Sequence, residues 1–263
     1  MSKNKSAIHH MTWKEAETAF SKDPVVIVPL GSMEEHGPHS ITGDYLAATE
    51  LAKRVSEESD AIYIPTIPFG NSEYFRGYPG TISLSQETVL GFLEDIFRSL
   101  IEHGISKIVV FNGHAGNAPA VDQVARKVRR ADDVMIASVN LWQGLDPVKK
   151  KEIYGDVDPS GHGGEPLTSI MSYLYPDDMR MDLLNDWKEA EKWQDFEVKN
   201  FKEVKVGNAS ANIYFNMEEV SPEGIMGDPT QSSAERGKVI IEHLTQFGVE
   251  LVEKVSNSQM KVK

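Results

Sequence analysis

Four short runs of apolar residues, rich in Val and Ile, recur at residues 24–30, 61–67, 107–111 and 134–139. None alternates polar with apolar, so a strand built from any of them turns neither face to water. Between them lie longer segments, 44–56, 86–103 and 118–130, in which apolar side chains return every three or four residues, and another helical stretch follows at 167–174. Strands alternating with helices imply a parallel sheet with helices on both faces, an α/β fold class. In such sheets ligands gather at the carboxyl ends of the strands.

Two polar loops leave strand ends on that rim. GSMEEHGPH, residues 31–39, follows the first run, and NGHAGN, residues 112–117, follows the third. Residues 34–44 hold five ionisable groups in eleven positions: Glu34, Glu35, His36, His39 and Asp44. His114 arrives from the second loop. With no cysteine in the chain, any metal must be held by imidazoles and carboxylates. Two carboxylates and two or three imidazoles suit Zn²⁺, Mn²⁺ or Fe²⁺, and a bridging carboxylate would hold two ions.

Each residue alone has a plainer reading. Asp44 opens the first segment of helical period and would serve as an N-cap carboxylate. Asn112 and Gly113 would form an ordinary turn, His39 would bond its own loop, and Glu34 or Glu35 would be solvated. Convergence on one rim is what favours a site. A third cluster, DPSGHGGE at residues 158–165, precedes the helical stretch at 167–174. Glu165 there is either a helix-start residue or a functional carboxylate, whereas His162, flanked by glycines with little to pack against, is expected to donate a proton to a leaving group.

Bulk properties narrow the class. With 263 residues, 40% of them hydrophobic, the chain can bury a substantial core, and one domain over 1–263 is expected. Its 40 acidic against 27 basic residues, net −13, leave no general basic footprint for nucleic acid or anionic lipid. The first twenty residues lack the apolar core of a signal peptide and no segment approaches a membrane span, so a cytoplasmic protein is expected. The glycines at 112–117 match neither the dinucleotide nor the P-loop spacing, which discounts a nucleotide enzyme.

Taken in order, these motifs resemble the creatininase (creatinine amidohydrolase) family. Residues 31–39 are similar to its GSxEQHGPH motif, residues 78–84 (YPGTISL) to its FPGTxSL segment, residues 112–117 to its NGHGGN loop, and residues 162–169 (HGGEPLTS) to its HAGxxETS segment. Residues 224–229 and 234–237 match its C-terminal pattern. The resemblance implies a three-layer α/β/α sandwich with a mostly parallel central sheet, a divalent-metal centre of one or two ions, and a homo-oligomer such as a hexamer. It implies Glu34, His36, Asp44 and His114 as ligands, with Asp44 as the bridge, and zinc as the first expectation, manganese or iron as alternatives.

Three departures from the family pattern carry information. The interval from Glu34 to Asp44 is one residue short, with Ser40, Ile41 and Thr42 replacing its Pro-Leu. Gly116 stands where creatininase proper has a second-metal glutamate, and Leu167 replaces the glutamate of the ETS triplet while Glu165 appears two positions earlier. Glu165 is therefore expected as a replacement metal ligand or acid/base group. Ser72, Glu73 and Arg76, in the loop 70–77, are expected to contact substrate or else to be an ordinary polar loop, and Asn112 to orient substrate. A variable insertion is expected around 185–215.

The resemblance implies a small-molecule substrate, a metal-activated water and attack on the carbonyl of a small cyclic amide or related cyclic compound. Family chemistry also includes opening a cyclic keto-inositol at a carbon–carbon bond and deformylation of a formamide. The non-enzymatic alternatives are a metal-binding module and an oligomeric scaffold.

Overall fold

A computed structural model describes residues 5–259 apart from 186 and 189. Its central sheet has the order β2-β1-β3-β4, all parallel, formed by β1 (Val26–Leu30), β2 (Ile62–Tyr63), β3 (Lys107–Asn112) and β4 (Met135–Asn140). Alternate residues of the two inner strands feed two separate cores. Val26, Val28 and Leu30 of β1 with Ile108 and Val110 of β3 pack against α3 (Gln86–Glu102) and α4 (Ala118–Ala131). Ile27, Val109 and Phe111 point the other way, toward α2 (Asp44–Glu58), α6 (Leu167–Leu174) and α7 (Ala234–Asn257). This is the three-layer α/β/α sandwich, and it explains the unalternated strands: every residue of β1 is buried.

Two strand expectations need adjustment. The run 61–67 pairs as a strand only over Ile62–Tyr63, and beyond it contact with β1 is reduced to an isolated bridge from Leu30 to Ile67. Pro65 interrupts the run and has no backbone N–H for a ladder. The fourth strand is shifted one residue along. The helix α1 (Trp13–Phe20), the helix α5 (Pro147–Tyr154) and the 24-residue α7 had no counterpart in the periodicity.

Within 185–215 lies a second, antiparallel sheet of β5 (Lys192–Trp193), β6 (Phe196–Val198), β7 (Glu203–Val206) and β8 (Ala209–Asn212). Its small core joins Val204, Phe215, Met217 and Val220 to Phe75. Phe75 is thus the link between this sheet and the rim of the central one. At that rim the crossovers from β1 and β3 depart in opposite directions, to β2 and to β4, so the crevice between their ends is a topological switch point.

Candidate metal centre

The two loops that leave β1 and β3 meet because small residues let backbone approach backbone. A Cβ at Gly31 would fall 2.4 Å from Tyr45 Cα, and one at Gly113 would fall 2.9 Å from the Asp44 carbonyl oxygen. The end of β1 is therefore pressed onto the first turn of α2. The short link before α2 closes with Gly43 N–H donating to Ile41 O at 2.9 Å. Asp44 does not cap its own helix, since Oδ1 accepts the Ser32 amide at 2.5 Å and Oδ2 lies 3.0 Å from His114 Nδ1.

Glu34 sits at the middle. Its Oε1 is 3.5 Å from His114 Nδ1 and 3.4 Å from His162 Nδ1. Donor atoms within 4.8 Å of one another form two groups, Glu34–His36–His162 and Glu34–Asp44–His114, and Glu34 belongs to both. Glu34 is the carboxylate common to both groups, while Asp44, expected as the bridge, falls in one of them and accepts the Ser32 amide on one oxygen.

Each imidazole has one nitrogen fixed by an acceptor and the other left for the centre. His36 Nδ1 donates to Glu34 O at 2.9 Å, and His114 Nε2 donates to Asn71 O at 2.8 Å. His162 Nε2 donates to Glu35 Oε1 at 3.1 Å. A carbonyl or carboxylate acceptor on one ring nitrogen sets the tautomer and aims the other, as outer partners of metal-bound histidines do. The His162 ring is stacked at 3.6 Å on Phe75 and at 4.4 Å on His36, so it cannot swing freely.

The residues fit a divalent ion. Two ligands each about 2.1 Å from a tetrahedral ion lie about 3.4 Å apart, close to the 3.0, 3.5 and 3.4 Å separations above. Glu34 Oε2 is buried with no hydrogen-bond partner among the described residues, a costly state for a carboxylate oxygen unless a cation serves it. Electrostatics point the same way. Burial pushes the Glu34 carboxyl above its usual range. Burial also pulls His114 down, but the Glu34 and Asp44 carboxylates outweigh it and raise the imidazole to about 9. Burial with the neighbouring His162 holds His36 well below its ordinary value. For His162, burial is outweighed by the hydrogen bond to Glu35 and the charge of Glu34, and the net direction is upward.

Several expected residues fall elsewhere. Glu165 is in neither donor group: Oε2 accepts the Tyr154 hydroxyl at 2.6 Å and Oε1 the Ser169 hydroxyl at 2.8 Å, which corrects the expectation of a replacement ligand. Asn112 has its polar atoms consumed internally. Its Nδ2 donates to Asn140 Oδ1 at 2.7 Å and its Oδ1 accepts the His114 amide at 3.2 Å, so it fastens the loop rather than facing a substrate. Ser72 is buried, 2.6 Å from Ser32 Oγ and 3.3 Å from His114 Nε2. Glu73 and Arg76 pair with each other at the surface, their side chains 62% and 68% exposed. His39 is wholly buried, and that burial lowers it to about 4, apart from both groups.

The residues missed by sequence reasoning are supports. Glu35 holds His162, Phe75 covers its ring, and Asn117 clamps the loops by donating to Gly31 O at 3.0 Å and accepting Asn71 N–H at 2.9 Å. The adjacency of Glu35 to Glu34 and His36 was the available signal. Gly116 has no space for the absent glutamate: a Cβ there would meet Asn71 O at 2.1 Å and His114 Nε2 at 2.5 Å.

The family profile described as creatininase, creatinine amidohydrolase, matches residues 9–252. A creatinine amidohydrolase of Pseudomonas putida is 33% identical over 200 residues, 68% of this chain and 75% of that protein. A 3-dehydro-scyllo-inosose hydrolase of Thermotoga maritima is 27% identical over 262 residues, covering 92% of this chain and 81% of the relative. Among solved structures, a creatininase manganese form is 26% identical with a TM-score of 0.80 and a mutant creatininase of the Zn-Zn type is 26% identical with 0.79, each covering 95% of this chain and 98% of its own.

Proposed function

The chain belongs to the creatininase family and is a metal-dependent hydrolase, and from that premise we propose that it cleaves the C–N bond of a small cyclic amide, or the corresponding bond of a related cyclic compound, by attack of water on the carbonyl at the Glu34-centred rim. The observation that carries the site is the buried Glu34 carboxylate shared by two donor groups, with Oε2 left unpaired. Glu34, His36, Asp44 and His114 would hold one or two divalent ions. Zinc is the first choice and manganese or iron the alternatives, in keeping with the zinc and manganese forms of the neighbours. When bound, the ion supplies a water whose pKa falls toward ~7 and polarises the carbonyl to be attacked.

The chain's own groups do the rest. Glu34 and Asp44 supply the negative charge that keeps a cation at the end of β1. His162, with Nε2 held by Glu35 and Nδ1 turned to the centre, gives a proton to the departing nitrogen, and its raised pKa in the metal-free protein suits a donor. Phe75 shields that imidazole from water on one face.

Creatinine itself is not the favoured substrate, because Gly116 leaves no room for a carboxylate at that position. A second reading, opening of a cyclic polyol ketone at a carbon–carbon bond, is favoured by the Thermotoga maritima relative, which aligns over 92% of this chain. There the departing atom that takes the His162 proton is carbon. We also propose a homo-oligomer of hexameric size. Its support is the exposure of Trp13, Val148 and Tyr214, at 71%, 70% and 82%. Among the described residues no helix is long and apolar enough to cross a membrane.

The test is a hydrolysis screen of the zinc- or manganese-loaded protein against creatinine, cyclic imides, formamides and inositol-derived ketones. Turnover of a cyclic amide or cyclic ketone that is lost in His162→Ala with metal retained is expected. Full turnover in that variant, or unchanged metal content in Glu34→Ala, would sink the site.

A further inference from the structure

Glu165 lies outside the metal centre, yet its carboxylate is 2% exposed and bonded on both oxygens. Its place in the fold gives it a task. His162 is carried by a loop whose two ends are tied together at Glu165. Glu165 N–H donates to Pro159 O at 3.2 Å, Gly161 N–H donates to Glu165 O at 3.2 Å, and the Asp228 amide also donates to Pro159 O at 3.1 Å. Within the loop, His162 O accepts the Met226 amide at 2.8 Å.

The side chain fastens this neck to three helices. Oε2 accepts from Tyr154 at the end of α5, and Oε1 accepts from Ser169 in α6. Ser169 Oγ in turn accepts the amide of Ser233, which caps α7, at 3.1 Å. Arg236 of α7 lies over the Tyr154 ring at 5.7 Å. Two hydroxyls arriving as donors call for two acceptor oxygens on one side chain, which a carboxylate has. An apolar residue there would leave both hydroxyls buried without an acceptor, which destabilises the neck.

We infer that Glu165 is a positioning residue for His162, holding the neck of its loop against α5, α6 and α7 so that Nδ1 stays directed at Glu34. The inference rests on the reading of His162 as proton donor. It deepens that reading by naming the support on which the geometry depends, and it assigns Glu165 no contact with metal or substrate.

The test compares Glu165→Ala, Glu165→Gln and Tyr154→Phe with the wild-type chain by three readouts. Nitrogen-15 spectra of the metal-free protein report the His162 ring; zinc content reports ligation; kcat and KM are taken on whichever substrate the screen identifies. Glu165→Ala is expected to replace the Nε2–H signature of His162 by an averaged tautomer signal. It should lower kcat about 10- to 100-fold, the scale of a misplacement near 1 Å, with KM and zinc content unchanged. Glu165→Gln, able to accept from one hydroxyl and donate to the other, should recover most of kcat, and Tyr154→Phe should fall between. Loss of a zinc equivalent in Glu165→Gln would make the residue a ligand and overturn the inference. So would a wild-type His162 signal and kcat in Glu165→Ala; if that variant does not fold, wild-type values in both Glu165→Gln and Tyr154→Phe overturn it equally. A chain that turns over none of the substrates but loses the His162 signature in Glu165→Ala would refute the substrate reading and keep the positioning role.

Discussion

Acidification should weaken metal binding through a single nitrogen, and its size follows from the carboxylates around it. In the metal-free protein His114 Nδ1 faces Asp44 at 3.0 Å and Glu34 at 3.5 Å, and the imidazole is raised to about 9. A cation can take that nitrogen only after the proton leaves. With the pKa about two units above neutrality, roughly 1% of His114 is free at pH 7, so apparent affinity is reduced about 100-fold, or about 3 kcal/mol. Affinity should therefore climb about tenfold per pH unit from pH 6 to 8 and level off above about 9. Calorimetric titration with zinc in buffers of different ionisation enthalpy reads both slope and protons released, and about one proton per ion is expected from this group at pH 7. Asp44→Asn removes one of the raising charges and should move the break to lower pH while weakening binding overall. The linked effect on folding has the same origin. A pKa raised above the ordinary 6.5 stabilises the metal-free fold fully below about 6.5, and that contribution fades as pH rises through about 9. A flat affinity between pH 6 and 8, or no proton release, would refute the reasoning.

Other consequences are more direct. Glu34→Gln should abolish metal binding, because Glu34 is common to both donor groups, whereas His162→Ala should leave it in place; metal analysis after dialysis separates the two. Gly116→Glu should not confer creatinine hydrolysis and should cost about 1–3 kcal/mol by overpacking, visible as a lower denaturation midpoint, because its Cβ would strike Asn71 O. Phe75→Ala should cost about 3–5 kcal/mol, since that ring is 3% exposed and joins the small antiparallel sheet to His162; Phe75→Leu should recover much of the stability but less of kcat.

The parts legible in the sequence were those written as local pattern. Apolar runs without alternation gave the sandwiched strands, and the position of polar loops after two of them gave Glu34, His36, Asp44 and His114 on one rim, because strand ends in a parallel sheet share an edge. What escaped depends on distant chain segments. Glu165 stands two positions before the family's ETS glutamate, which suggests a replacement ligand or an acid/base group beside the helix-start alternative, but its partners Tyr154 and Ser169 belong to two separate helices. Asn112 was read as a substrate contact because it ends a strand at the rim, and its use by Asn140 is visible only once β4 is paired beside β3. The exposed pair Glu73–Arg76 illustrates the reverse: polar residues in a glycine-bounded loop that point away from the centre.

The charge balance of the centre makes ion number and His162 protonation one question. Glu34, Glu35 and Asp44 are 2%, 7% and 2% exposed, and among the described residues their ion-pair partners are only His114 and His162, never Lys or Arg. Three buried carboxylates carry a formal −3, so compensation must come from protons on imidazoles or from metal. One divalent ion with His162 protonated brings the total to zero. Two divalent ions with His162 neutral bring it to +1, which calls for an anion. A single-ion centre thus keeps His162 as an imidazolium ready to donate, while a two-ion centre favours its deprotonation and removes the donor from the resting state. Zinc stoichiometry measured beside the His162 nitrogen shifts should show one equivalent with both ring nitrogens protonated. Two equivalents together with a protonated His162 would contradict the balance and require another buried negative group.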